Sequence, residues 1–257
     1  MTEFRFPTNG VRIRQADPRE LRYRLTPPAT APNPTADRNL GPWLPAPYTQ
    51  LMNDCVACAT VCCIQTLANL RGQPNAATQT SILACYAWGR EGEGTFPENA
   101  GMGASAGLDA LLARGGNCRE DLAPYEADPA AWPSDAAIMD APHQDWFAAH
   151  RPFYPSDPGG LDGMIMTALD LYCPVMVTVR WDPSFNVPGA GGLLAAPDGT
   201  GLGFHELVIY GRTPEPSAYR VRNSWGPDWG EGGNCLMPVS YLPGICADSR
   251  AVVEEPI

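Results

Sequence analysis

From residue 55 to residue 70, apolar and small residues recur at the three-to-four spacing of a helix. Ala59, Cys62, Cys63, Leu67 and Leu70 fall on one side, facing a core. The same periodicity predicts helices over 78–88, 105–114 and 160–171, the second of them stopped by Gly115-Gly116. Beyond residue 173 the period changes. Segments 174–180, 205–210, 218–223 and 234–238 are rich in Val, Ile, Tyr and other strand formers, and read as strands. Helices ahead of strands predict an α+β fold of two lobes with a site in the cleft between them. Between these blocks the chain reads as connection. Prolines recur from 27 to 47 and impose an extended path, 17–24 is a helical turn or a strand, and 121–143 reads as loops. The Gly-rich stretch 188–203 is either a flexible lip of the cleft or an ordinary surface loop. No internal repeat is visible.

Composition narrows the class. A chain of 257 residues with 44% hydrophobic and 18% charged residues can bury a sizeable core and has no disorder signature. A net charge of -11 argues against a nucleic-acid partner. All 17 basic residues are Arg, which reads as codon usage. No apolar run reaches the roughly 18 residues of a membrane span, and no apolar core follows Met1 as in a signal peptide. The nine cysteines are odd in number, with four crowded into one predicted helix. That pattern suits reduced, buried thiols in a cytoplasmic protein better than a disulfide framework. A monomer or small homo-oligomer is expected.

The candidate chemistry lies in three segments. Gln50-Leu-Met-Asn-Asp-Cys55 leads into the first helix, whose unpaired N–H groups favour a thiolate. His205 opens a strand far downstream, and Asn223 ends another. A thiol, an imidazole to hold its proton and an amide to orient that imidazole form an acyl-transfer site. Cys58, Cys62 and Cys63 read as structural thiols rather than metal ligands, and no cofactor is implied. His143 and His150 match no motif and read as structural.

The order Cys55, His205, Asn223-Ser-Trp225-Gly, Trp229-Gly-Glu resembles the papain-like cysteine peptidases, most closely bacterial members without a pro-segment. Gly41-Pro-Trp-Leu-Pro ahead of Gln50, and Gly107 to Gly116 followed by Pro124-Tyr125, extend the resemblance over most of the chain. It implies Cys55 as nucleophile and His205 as acid and base. Asn223 would orient His205, Trp225 would shield their bond, and Trp229 would form a wall on the leaving-group side. Gln50 would donate to the oxyanion. Gln50 lies five residues before Cys55 instead of the family's six, so Asn53 is an alternative donor and Cys58 an alternative nucleophile. Asp54, in place of a Ser, is expected to cap the helix and to raise the thiol pKa. Glu206 either adds a carboxylate near the imidazole or faces out of its strand. The expected organisation is an extended segment over 1–50 wrapping both lobes, a helical lobe over 51–155 carrying the nucleophile, and a β lobe over 156–257 carrying His and Asn. Expected activities are hydrolysis of a peptide or amide bond, acyl transfer to an amine, or silent binding of peptides.

Overall fold

The computed structural model describes residues 10–12, 37–72, 80–126, 130, 132–144, 148–152, 160–201, 203–214 and 217–254. The expectations for 17–24 and 27–36 lie outside these residues. In chain order the elements begin with β1 (Val11–Arg12), β2 (Arg38–Asn39), α1 (Cys55–Leu70), α2 (Ile82–Gly92), β3 (Met102–Gly103), α3 (Ala106–Ala113), β4 (Asn117–Cys118) and α4 (Asp135–Met139). They continue with β5 (His143–Gln144), β6 (Ala148–Pro152), α5 (Gly160–Asp170), β7 (Val175–Arg180), β8 (Phe204–Arg212), β9 (Ala218–Arg222), β10 (Asn234–Pro238), α6 (Leu242–Ile245) and β11 (Cys246–Glu254). Mixed helices and an antiparallel sheet make the α+β class plain.

Every residue of α1 from Cys55 to Ala68 is buried, so one apolar face was too narrow an expectation. The reason is side-chain size. Ala, Cys and Thr on all sides let α2 and α3 approach from one direction and β8 from another. The α2 helix starts at Ile82 because the Ser81 hydroxyl accepts from the Ala84 N–H at 3.0 Å and so caps it. The α3 helix ends where Gly115 takes a φ of 77° and the Gly116 N–H reaches back to the Leu111 carbonyl at 2.9 Å.

A seven-stranded sheet runs β10-β9-β8-β7-β11-β6, with β2 added against the end of β8. Pairing in its centre is antiparallel, with Val179 opposite His205 and Val177 opposite Leu207. Period-two alternation then sorts residues between two cores. Met176, Val208 and Val252 join the helical core around α1 and α2. Val175, Val177, Val179, Leu207 and Ile209 join a second core with α5 and the tryptophans. Strands β6 and β11 were not foreseen. The polar Asp248, Ser249 and Arg250 interrupt the apolar run of β11, and only pairing with both β7 and β6 identifies it. Within 121–143, α4 is a short helix capped by Ser134.

The 188–203 connection is pinned at two points. Leu194 is buried and its N–H bonds the Leu236 carbonyl at 3.0 Å. The Asp182 carboxylate accepts from the N–H groups of Ser184, Asp198 and Gly199 at 3.0–3.1 Å. No helix among the described residues is long and apolar enough to cross a membrane.

Candidate active site

Cys55 is the first residue of α1, where the backbone N–H groups have no helical partner. It is fully buried, and that burial pushes its thiol well up from the ordinary range. The Glu206 and Asp54 carboxyls push it further, while backbone N–H groups of Glu206 and Val56 pull it back. The sulfur therefore sits beside the residue that follows His205. Cys58, one turn on, is raised by burial and then by Asp54, Cys55, Cys85 and Cys62. All nine cysteines are free thiols. Among the described residues no cluster of His, Cys, Asp or Glu is arranged to hold a metal ion.

Alternation along β8 turns His205 toward the tryptophan-rich core and Glu206 toward α1. His205 Nε2 lies 2.7 Å from Asn223 Oδ1. An amide oxygen only accepts, so Nε2 carries the proton and Nδ1 presents its lone pair. Nδ1 is buried and has no partner. Burial pulls the imidazole down to about 4, partly offset by the Asn223 bond. Asn223 is itself fixed, its Oδ1 also accepting from the Ser224 N–H at 2.7 Å. Trp181 and Trp225 flank the imidazole, each ring centre 5.0 Å away, and Trp229 packs on Trp225 at 5.8 Å. All three are at most 5% exposed, so here the tryptophans form a dry wall around the His205–Asn223 pair. Trp181 was missed in the sequence because no motif surrounds it. Asn186 ties it in, accepting from Trp181 Nε1 at 2.8 Å with its side chain and from Trp229 Nε1 at 3.0 Å with its carbonyl.

Gln50 is joined to the residue after Asn223 by two bonds. Its N–H donates to the Ser224 carbonyl at 2.7 Å, and its Oε1 accepts from Ser224 Oγ at 2.6 Å. Its Nε2 donates to the Met52 carbonyl at 3.0 Å. Asn53 is held elsewhere, its backbone and side-chain N–H groups both bonded to Asn99 at 3.0 Å. Asp54 does not cap α1 with its side chain. Its carboxylate instead accepts from Tyr125 Oη, which also accepts from the Leu51 N–H at 2.7 Å. Tyr125 thereby clamps both ends of the approach to Cys55. Burial drives Asp54 up to about 7, so the negative charge expected beside the thiol is only partly present at neutral pH.

Glu206 does not face solvent. It is 2% exposed, its carboxyl bonded by the Thr178 hydroxyl and pushed to about 8 by burial. A raised folded pKa means stability that is full below the unfolded value near 4.5 and lost as pH rises through about 8. Glu206→Gln removes that slope. Its melting temperature relative to the parent should rise between pH 5 and 9 by ~5 °C, measured by thermal melts across pH. A constant difference would show that Glu206 is ionised throughout.

The Cys55 thiol is covered. Val11 and Arg12 pair in parallel with Met102 and Gly103, and the Met102 N–H donates to the Gly10 carbonyl at 3.0 Å. A Cβ on Gly10 would stand 2.4 Å from Cys55 Sγ and 3.1 Å from the Asn53 carbonyl oxygen. Only glycine allows the backbone this close to the sulfur.

No family model matches the chain. Fruit bromelain of Ananas comosus is 41% identical over 66 residues, and the match spans 24% of this chain and 18% of that protein. Xylellain, a cysteine protease from Xylella fastidiosa, superposes with a TM-score of 0.77 at 22% identity, covering 97% of each chain. The bromelain protease of Ananas comosus, in complex with the E64 inhibitor, gives 0.61 at 14% identity over 85% of this chain and 99% of that one. Procathepsin L 3 of the Tenebrio molitor larval midgut gives 0.63 at 16% identity over 89% and 73%. With the helical core on one side of the sheet and the tryptophan-walled core on the other, the chain has the two-lobed fold of the papain-like cysteine proteases.

Proposed function

We propose that this chain is a cysteine hydrolase of peptide or amide bonds. The observation that carries the reading is the His205–Asn223 bond of 2.7 Å, which leaves a buried Nδ1 lone pair without a partner, one residue from the Glu206 N–H that bonds the Cys55 sulfur. The cysteine proteases sharing the fold support it. In the reaction Nδ1 takes the thiol proton as Cys55 Sγ attacks the carbonyl carbon. The negative charge moves to the carbonyl oxygen, where the Cys55 N–H and Gln50 Nε2 donate to it. Each amide has one N–H bonded to a backbone carbonyl, but Gln50 suits this role better than Asn53 because two bonds tie it to Ser224, the residue after Asn223, while Asn53 is tied to Asn99. His205 then gives its proton to the leaving amine, and the C–N bond breaks to leave a thioester. Water, deprotonated by Nδ1, releases the acid and returns the thiol. Asn223 keeps the proton on Nε2 throughout, and the tryptophans exclude water that would compete for that bond.

The test is covalent labelling of the folded chain with an epoxysuccinyl peptide, with the modified residue located by mass spectrometry. Stoichiometric label on Cys55 supports the reading. Label on Cys58 moves the nucleophile by one turn, and no label on a folded chain moves the reading to a silent binder or to a cleft closed to peptides. Product analysis with an added amine then decides the acceptor. Amide product in place of acid would make the enzyme a transferase.

A further inference from the structure

Behind the His205–Asn223 pair lies a second, small cavity. This chamber of about 10 Å³ between α1 and β9, room for a single small occupant, is lined by Tyr48, Cys58, Cys62, Glu206, Arg222 and Asn223, with Ala59, Val208 and Ser224 completing it. Three of these residues carry a buried polar atom with no hydrogen-bond partner: Tyr48 Oη, Arg222 Nη1 and Asn223 Nδ2. All three atoms can donate. Arg222 is 9% and Asn223 3% exposed. The Arg222 guanidinium donates through Nε to Asn234 Oδ1 at 2.9 Å, a neutral acceptor. Among the described residues it forms no ion pair.

We propose that this chamber is a binding site for a small inorganic anion of the halide class. A buried guanidinium without a counter-charge is costly, and three unsatisfied donors add to that cost. One anion removes both deficits, since it accepts from all three groups and neutralises the cation. A water could accept two of the bonds and give a proton to Tyr48 Oη, but the guanidinium charge would stand uncompensated. Glu206, the acidic residue of the lining, is bonded to Thr178 and held neutral below about 8, so it does not repel an anion at neutral pH. Ser224 Oγ already donates to Gln50, and the thiols of Cys58 and Cys62 are kept protonated by burial.

Occupancy has a consequence for the site next door. The amide of Asn223 can present either its oxygen or its nitrogen to His205. An anion held by Nδ2 fixes the orientation in which Oδ1 faces Nε2. The anion is thus a positioning element for the imidazole, acting through Asn223.

The test uses the full chain and does not depend on turnover. Protein exchanged into gluconate is titrated with chloride at constant ionic strength, and its melting temperature is followed. A saturable rise of about 2–4 °C is expected. Tyr48→Phe, which removes one donor and little else, should shift the chloride midpoint upward by roughly ten-fold. Crystals grown in bromide should show an anomalous peak in the chamber within bonding distance of Arg222 Nη1 and Asn223 Nδ2. A chamber holding only water, without anomalous signal, overturns the proposal, and so does a melting temperature indifferent to chloride. Either result leaves the reading of Cys55 untouched.

Discussion

Replacing His205 with alanine is expected to lower kcat/KM for a peptide substrate by roughly 1,000- to 10,000-fold. The loss has two sources. The thiol of Cys55, pushed up by burial and by the Glu206 and Asp54 carboxyls, would lose the imidazole that takes its proton, so attack would proceed from the weakly nucleophilic thiol. The leaving amine would also depart unprotonated. Asn223→Ala should cost less, roughly 10- to 100-fold, because it removes the control of the tautomer and leaves the imidazole in place. The stability profile separates this catalytic effect from damage to the fold. A His held down to about 4 in the folded chain stabilises fully above its unfolded value near 6.5, and that contribution is lost as pH falls through about 4. His205→Ala should therefore melt with a flatter acid limb while remaining folded at neutral pH. Activity within ten-fold of the parent would remove His205 from the mechanism.

The second large effect concerns access. Gly10→Val is expected to speed alkylation of Cys55 by roughly ten-fold or more. A valine at this position would bring its Cβ to 2.4 Å from the thiol sulfur, a distance that the structure cannot hold. The segment must then lift, and its pairing with Met102 and Gly103 is only two residues long. Lifting exposes the sulfur, and water returns the thiol toward its ordinary range. The order of the two rates decides the matter. If the parent and the Gly10→Val chain react equally fast with a small alkylating agent, β1 does not limit access to the nucleophile. A chain shortened to begin at residue 13 should behave like the valine variant, and it controls for strain introduced by the larger side chain.

Much of the site was legible because its residues occupy positions that local rules single out. Cys55 follows Asn53-Asp54 at the start of a helix. His205 and Asn223 each belong to a recognisable strand or glycine-rich turn. Trp225 and Trp229 come with those turns. The roles read for them rest on those motifs, and the structure adds the His205–Asn223 bond. Asp54 shows where that path fails. By position it is a helix cap, yet a tyrosine 71 residues away claims its carboxylate, and burial rather than the helix sets its charge. Glu206 is similar. The alternation of β8 predicts that it opposes His205, but only packing against α1 reveals that this opposite face is interior.

By itself, then, the sequence determined the α+β class, the run of α1 and the identity of the residues at its start and on β8 and β9. Those follow from periodicity and capping, which act over a few residues along the chain. Tertiary structure alone decided that α1 is buried on all sides, that β6 and β11 complete the sheet, and that Trp181 walls the imidazole. It also decided that Gly10 rests on Cys55 and that Tyr48, Arg222 and Asn223 share one chamber. These contacts join residues dozens to more than a hundred positions apart. Their energies depend on which surfaces meet after folding, and no local pattern of apolar and polar residues encodes that meeting.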